Sequence, residues 1–140
     1  MMYLLDTNVV SELRKVNAGI ADPRVKLWAD NQDAESTFLS VITVLELEQG
    51  VLLMERCDPR QGAMLRAWLE KLVLPDFAGR ILPVNLPIAR QCASLHVPDP
   101  LDDRDSLIAA TALVHGMTVV TRNTRHFEQT GVALLNPWET

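Results

Sequence analysis

Short apolar runs of strand length recur along this chain, and each is separated from the next by a stretch with helical spacing and capping residues. No other feature limits the fold so tightly. Residues 2–5 (Met-Tyr-Leu-Leu) are continuously apolar rather than alternating, as in a strand covered on both faces. Further strands are predicted at 36–41, 81–84, 117–121 and 132–135, with Pro83 confining the second of these to a sheet edge or a strand end. Helices are predicted from Asp6/Thr7 to about Lys15 and over about 22–32, where Asp22 is the cap and Pro23 suits the first turn. Others run from Thr43 to about Arg56, from Pro59 through Leu65, Trp68, Leu69 and Leu72, from Pro87 to His96, and from about Asp102 to His115, where Gly116 stops the last. Strands alternating with helices imply right-handed crossovers. The expected fold is one α/β domain over 1–140, a parallel sheet of about four to five strands with helices on both faces.

Composition narrows the function. At 140 residues, 48% hydrophobic and 22% charged, the chain is an ordinary globular domain and not a disordered one. Thirteen Lys and Arg against eighteen Asp and Glu leave a net charge of −5, so bulk charge does not attract nucleic acid and any such contact needs a local basic patch. Cys57 and Cys92 form no CxxC motif, which excludes a thiolate zinc site and a disulfide scaffold and fits a reducing compartment. No apolar run approaches the ~20 residues that span a bilayer. The N-terminal run meets Asp6 without a basic region, unlike a signal peptide. The expectation is a soluble cytoplasmic domain with no membrane partner.

Ligands of open parallel sheets bind beyond the carboxyl ends of the strands. Asp6 directly follows the first strand and Asn123 closely follows the strand 117–121, so both fall on one sheet edge. Asp6 is also good helix-cap chemistry. Glu46 shares a helix face with Gly50 and Leu53, although Thr43-x-x-Glu46 also reads as a capping box and Glu48 lies nearby. Asp105 lies on the face of Ile108, Ala109 and Ala112; Asp102 shares that face one turn earlier and suits the helix cap. Carboxylates converging there would repel by about 4 kcal/mol per pair at ~4 Å and an effective dielectric of ~20. One must be protonated, or a cation must sit between them. Oxygen donors without His or Cys point to Mg²⁺ or Mn²⁺, and such an ion to phosphodiester hydrolysis by an activated water. Basic residues for a phosphate backbone are available at Arg14 and Lys15, at Arg24 and Lys26, and at Arg122, Arg125 and His126 beside Asn123. His96 and His115, at helix ends, read as structural.

The order of these segments resembles the PIN-domain ribonucleases. Leu4-Leu5-Asp6-Thr7-Asn8 is similar to their opening motif, Ser40 to Leu47 with Gly50 to their second acidic motif, and Phe77 to Val84 to a segment of the VapC and FitB toxin branch. Asp105 to Ala112, Val119 to Thr124 with Phe127, and Asn136-Pro137-Trp138 complete a match over nearly the whole chain. The resemblance implies a Mg²⁺- or Mn²⁺-dependent endoribonuclease, the toxin of a type II toxin–antitoxin module. It implies a homodimer, an RNA substrate such as transfer or ribosomal RNA, and an antitoxin whose C-terminal segment enters the active-site groove. The family's metal ligands fall on Asp6 and Asp105, with Glu46 as the third acid. Thr7 and Thr121 correspond to residues that orient ligands or water. Where many members carry a fourth acid this chain has Asn123, and the acid before Phe127 is His126. Helices near 7–15 and 43–56 read as apolar and exposed, a docking groove for the antitoxin or a dimer contact.

Two other readings compete. In haloacid-dehalogenase-type phosphatases an Asp like Asp6 is a nucleophile, but a second acid follows two residues on, and here that residue is Asn8. A catalytically silent PIN-fold module that only binds a partner is the other, and Asn123 favours it.

Overall fold

The structure is a computed structural model that describes residues 1–139. Five parallel strands form one sheet in the order β3-β2-β1-β4-β5, with β1 at Tyr3–Leu5, β2 at Thr37–Ser40, β3 at Ile81–Leu82, β4 at Thr118–Val120 and β5 at Leu134–Leu135. The helices are α1 (Thr7–Arg14), α2 (Pro23–Asp30), α3 (Val41–Cys57), α4 (Pro59–Trp68), α5 (Leu74–Asp76), α6 (Leu86–Leu95) and α7 (Asp103–His115). A π-helical turn over Leu69–Val73 joins α4 to α5.

Successive side chains of β1 enter different cores, which accounts for the continuous apolar run. Leu5 packs with Val9, Val25, Leu39, Leu47, Val51 and Leu69 from the α1–α4 side. Leu4 packs with Ile108, Ala109, Ala112, Val119 and Phe127 on the α7 side, and α6 covers the outer face of α7 through Ile88 and Ala110. The result is the expected three-layer α/β arrangement. β3 is an edge strand, as Pro83 requires, but it ends at Leu82 and so before the proline.

Two local expectations are corrected. Helix α3 starts at Val41 rather than Thr43, because the Ser40 hydroxyl accepts the Ile42 N–H at 3.0 Å and takes the cap. No capping box forms: Thr43 is fully buried, and among the described residues its hydroxyl has no hydrogen-bond partner. Glu46 is thereby free for another role. Helix α1 is not an exposed apolar helix, since Val9 and Val10 are buried and Leu13 packs against the same core. Exposed apolar side chains do lie on α3 (Leu45, Leu52, Leu53) and beyond it on Met64 and Leu72, and others are scattered singly, as at Leu27 and Leu86.

Helices α3 and α4 are joined through Asp58 alone, and its carboxylate caps α4 by accepting the Gln61 N–H. The pair packs at backbone contact, since a Cβ on Gly62 would stand 2.4 Å from Glu55 Cα and 2.6 Å from Glu55 N. Arg66 ties the pair by pairing with Glu48 and Glu55 of α3 and Glu70 one turn on.

Candidate active site

The carboxyl ends of β1 and β4 are adjacent because these strands pair directly, Leu5 beside Val120. The chain leaves β1 at Asp6 and β4 at Thr121, and the two residues meet. The Thr121 hydroxyl donates to Asp6 Oδ2 at 2.7 Å, and the Thr7 N–H donates to Oδ1 at 2.8 Å. Asp6 therefore caps α1 and also faces the sheet edge, so its two readings coincide. Asn8 Nδ2 donates to the same Oδ2 and to Thr121 Oγ1, each at 3.3 Å, while its Oδ1 accepts the Arg122 N–H at 3.2 Å. The Asn123 N–H closes the turn onto Thr121 Oγ1.

Glu46 comes from α3. Its Oε1 accepts the Thr7 hydroxyl at 2.7 Å, a bond between residues 39 apart in sequence. Arg104 Nη1 stands 3.8 Å from Oε2 and donates to Gln49. The alternative acid Glu48 is taken by Arg66. Asp105 comes from the first turn of α7, and its N–H is capped by the Asp102 carboxylate, which assigns the cap to Asp102 and leaves the Asp105 side chain half-buried. His126 Nδ1 lies 3.3 Å from Asp105 Oδ2.

Asp6, Thr7, Asn8, Glu46, Asp105, Arg122, Asn123 and Trp138 line one open cavity of about 460 Å³. All three predicted acids thus reach the same cavity, with Thr121 buried beneath it and His126 at Asp105. Arg125 is exposed on the turn 124–126 and is not brought to the lining. Sequence reasoning missed four contributors. Asn8 was visible as the third residue of Asp-Thr-Asn, and Arg104 as the neighbour of Asp105. Glu12 also lines the cavity, but its carboxylate is spent on the Asp22 N–H and Lys15, and the Asp22 bond holds it below the usual glutamate range. Trp138 approaches from the far end of the chain; Asn136-Pro137-Trp138 marks it as part of the family match but does not reveal that it lines the cavity.

Electrostatics mark the site. Burial pushes Asp6 above the usual aspartate range, against the hydrogen bonds from Thr121 and Thr7 that favour its ionised form. Asp105 is pushed up to about 6, first by burial, then by the charges of Asp102 and Asp6, with Glu46 adding to the effect and His126 opposing it. Acids whose charges raise the proton affinity of Asp105 form a site for positive charge. The donors are all oxygens, and Mg²⁺ is held by one or two carboxylates with waters rather than by a protein cage. Among the described residues, no group of three or more His, Cys, Asp or Glu side chains could hold an ion as the side chains stand. The acids fit a partly hydrated ion held through few protein ligands.

A stability test follows. An acid whose pKa is raised by folding stabilises the protonated fold, and that contribution is lost as pH rises through its folded value. Without divalent ions, the melting temperature is expected to climb as pH falls from 7.5 towards 5.5. Below about 4.5 the trend reverses, because Glu12 and Glu55, held low by their partners, become protonated and release them. Asp105→Asn is expected to melt a few degrees higher at pH 7.5, about 1 kcal/mol after allowance for solvent screening, and to lose most of the rise between 7.5 and 5.5. Parallel melting curves for the two proteins over that range would refute the assignment.

Comparison with known proteins agrees with this layout. Residues 3–133 match the family model described as PIN domain. The chain is 41% identical over 143 residues to a VapC ribonuclease of Sinorhizobium fredii, covering 99% of each. It is also 41% identical to Toxin FitB of Neisseria gonorrhoeae, covering 98% of this chain and 99% of that one. The fold superposes on the crystal structure of FitAcB from Neisseria gonorrhoeae with a TM-score of 0.90 at 40% identity, covering 99% of this chain and 100% of that one. A structure of FitAB bound to a DNA fragment matches at a TM-score of 0.87 and 39% identity, covering 98% and 96%. With its acids gathered at the sheet edge and its whole length aligned to these proteins, the chain belongs to the PIN-domain family, in the branch of the VapC and FitB toxins.

Proposed function

We propose that this protein is a divalent-metal-dependent endoribonuclease and the toxin of a type II toxin–antitoxin pair. The observation that supports it most is the convergence of Asp6, Glu46 and Asp105 on one open cavity. Asp6 and Asp105 would hold a Mg²⁺ or Mn²⁺ ion, with Glu46 as the third acid. When bound, the ion supplies an acidified water as nucleophile and positive charge for the phosphate oxygens.

The chain's own residues set the stage for that chemistry. The Thr121 hydroxyl and the Thr7 N–H fix both oxygens of Asp6, so its carboxylate needs no reorganisation. The Thr7 side chain fixes Glu46, so one residue aligns two acids. Asn123 adds an amide at the position where many members have an acid, which lowers the negative charge of the site by one and reduces repulsion of RNA phosphates. Arg104 places its positive charge 3.8 Å from the outer oxygen of Glu46, and the His126 ring faces the outer oxygen of Asp105 at 3.3 Å.

The partner we propose is a small antitoxin protein. The relatives include Toxin FitB, and the FitAB assembly was solved on DNA. Beside the acidic cavity lies an apolar cleft lined by Leu47, Val51, Leu65 and Trp68, which shares Thr7, Ser11 and Glu46 with it. An antitoxin segment lying in that cleft would cover the acids. A homodimer using the exposed Leu45, Leu52 and Leu53 of α3 completes the proposed assembly. Among the described residues, no helix is long and apolar enough to cross a membrane.

The test is cleavage of end-labelled total RNA by purified, antitoxin-free protein. Discrete fragments are expected with Mg²⁺ or Mn²⁺, loss of cleavage in EDTA, and recovery when Mn²⁺ is restored. Cleavage that persists in EDTA removes the metal from the reading. A folded protein that binds antitoxin but cuts nothing with either ion is a silent binding module instead.

A further inference from the structure

Arg122 is anomalous for its surroundings. It lines a cavity whose other charged members include Asp6, Glu46 and Asp105, yet no carboxylate lies within 4 Å of it among the described residues. The cavity's other cation, Lys15, is paired with Glu12. Arg24, Arg66 and Arg104 all face acids. An arginine at the mouth of an acidic cavity is drawn towards the acids, so something must hold it away.

Two contacts do so. Its backbone N–H is tied to Asn8 Oδ1, the same side chain that bridges Asp6 and Thr121. Its guanidinium lies over the Trp138 ring, 5.3 Å from the centroid. Trp138 is itself anchored: it is 6% exposed, belongs to the core cluster of Leu5 and Val120, and its backbone N–H donates to Asn136 Oδ1. A guanidinium stacked on a ring keeps its in-plane N–H donors free for an anion, and its planar fork matches two oxygens of a phosphate.

We propose that Arg122 is the phosphate-gripping residue of the site, held by Trp138 and Asn8 so that it engages the backbone of a single RNA strand next to the acidic centre. This deepens the ribonuclease reading and rests on it. Lys15 and Arg104 are already paired with acids, so among the described residues of the cavity lining Arg122 supplies the positive charge that no carboxylate offsets.

The experiment measures binding, not cleavage. The probe is a fluorescein-labelled single-stranded RNA of mixed sequence, titrated by anisotropy with Asp6→Asn protein in Mg²⁺ over a range of KCl concentrations. Adding Arg122→Ala is expected to weaken binding about tenfold and to make the slope of log affinity against log salt shallower by about 0.7, the release from one single-strand phosphate. Arg122→Lys is expected to keep the slope and lose only part of the affinity, since charge survives but stacking and the fork do not. Trp138→Leu, with Arg122 intact, is expected to weaken binding while the slope stays within about 0.2 of the parent. An unchanged affinity in Arg122→Ala overturns the proposal, and so does weaker binding with an unchanged slope. Absence of any RNA binding by the parent overturns it as well. Metal-dependent cleavage by the wild type decides the underlying reading separately: if it persists while Arg122→Ala binds normally, only the role of Arg122 falls.

Discussion

Exchange of Asp6 for Asn is expected to lower Mg²⁺-dependent RNA cleavage by at least ~10³-fold, about 4 kcal/mol of transition-state stabilisation, with the fold intact. Asp6 is the most constrained acid of the site. It is 5% exposed, and its oxygens take hydrogen bonds from Thr7, Thr121 and Asn8. Asn has the same shape but no negative charge for a cation. Burial already favours the neutral form of this side chain, so the substitution relieves a desolvation cost. Against that, an amide nitrogen facing Asn8 Nδ2 and the Thr121 hydroxyl loses one good bond. The metal-free variant is therefore expected to melt within a few degrees of wild type. Single-turnover cleavage of one mapped RNA site, with melting curves on the same preparation, checks both halves. Wild-type cleavage by Asp6→Asn would end the metal-nuclease proposal, whereas a collapsed melting temperature would mean that Asp6 is a structural cap above all.

Gly62→Ala is expected to destabilise the protein by about 3 kcal/mol or more, roughly 6–12 °C in melting temperature, although it adds a single methyl group. The atoms in its way belong to the backbone of Glu55 and cannot swing aside. Helix α4 must then lift from α3, which also strains the Arg66 pairs to Glu48 and Glu55. Gly50, on the same α3, provides the control. Nothing lies within 4 Å of its would-be Cβ, so Gly50→Ala is expected to be neutral or to stabilise by up to ~1 kcal/mol through helix propensity. Urea denaturation of the two variants gives opposite signs if the packing is as described. A Gly62→Ala protein within about 0.5 kcal/mol of wild type would refute the close approach.

Much of this molecule is visible in its sequence, and what is hidden has a common cause. Asp6 shows itself because a carboxylate straight after a doubly buried strand has few places to go in a parallel sheet. Asp105 and Asp102 share one helix face, so periodicity does not separate them; the cap, which falls to Asp102, does. Glu46 is obscured by a local pattern, Thr43-x-x-Glu46, that loses to a better cap three residues upstream; the winning Ser40 is decided by where β2 ends, a matter of sheet pairing. The apolar side chains of α1 looked available for a partner because nothing local reveals that Val9 and Val10 meet Val25 and Leu69. Trp138 and the contact at Gly62 are tertiary in the same sense. Each depends on a neighbour far away in the chain, and residue type alone does not name that neighbour.

The strand order also carries a consequence for how the protein is made. β1 is the central strand, but one of its two neighbours, β4, begins at Thr118, more than a hundred residues later. A ribosome that has released only the first hundred residues has displayed Asp6 and Glu46 without Asp105, without the Thr121 hydroxyl and without the second half of the groove. On the ribonuclease proposal, the unfinished product lacks part of the site that would cut RNA, and that site is completed only late in synthesis. The sheet therefore closes around its first strand only when its fourth is made, and the acids of the edge are assembled after most of the chain has left the ribosome.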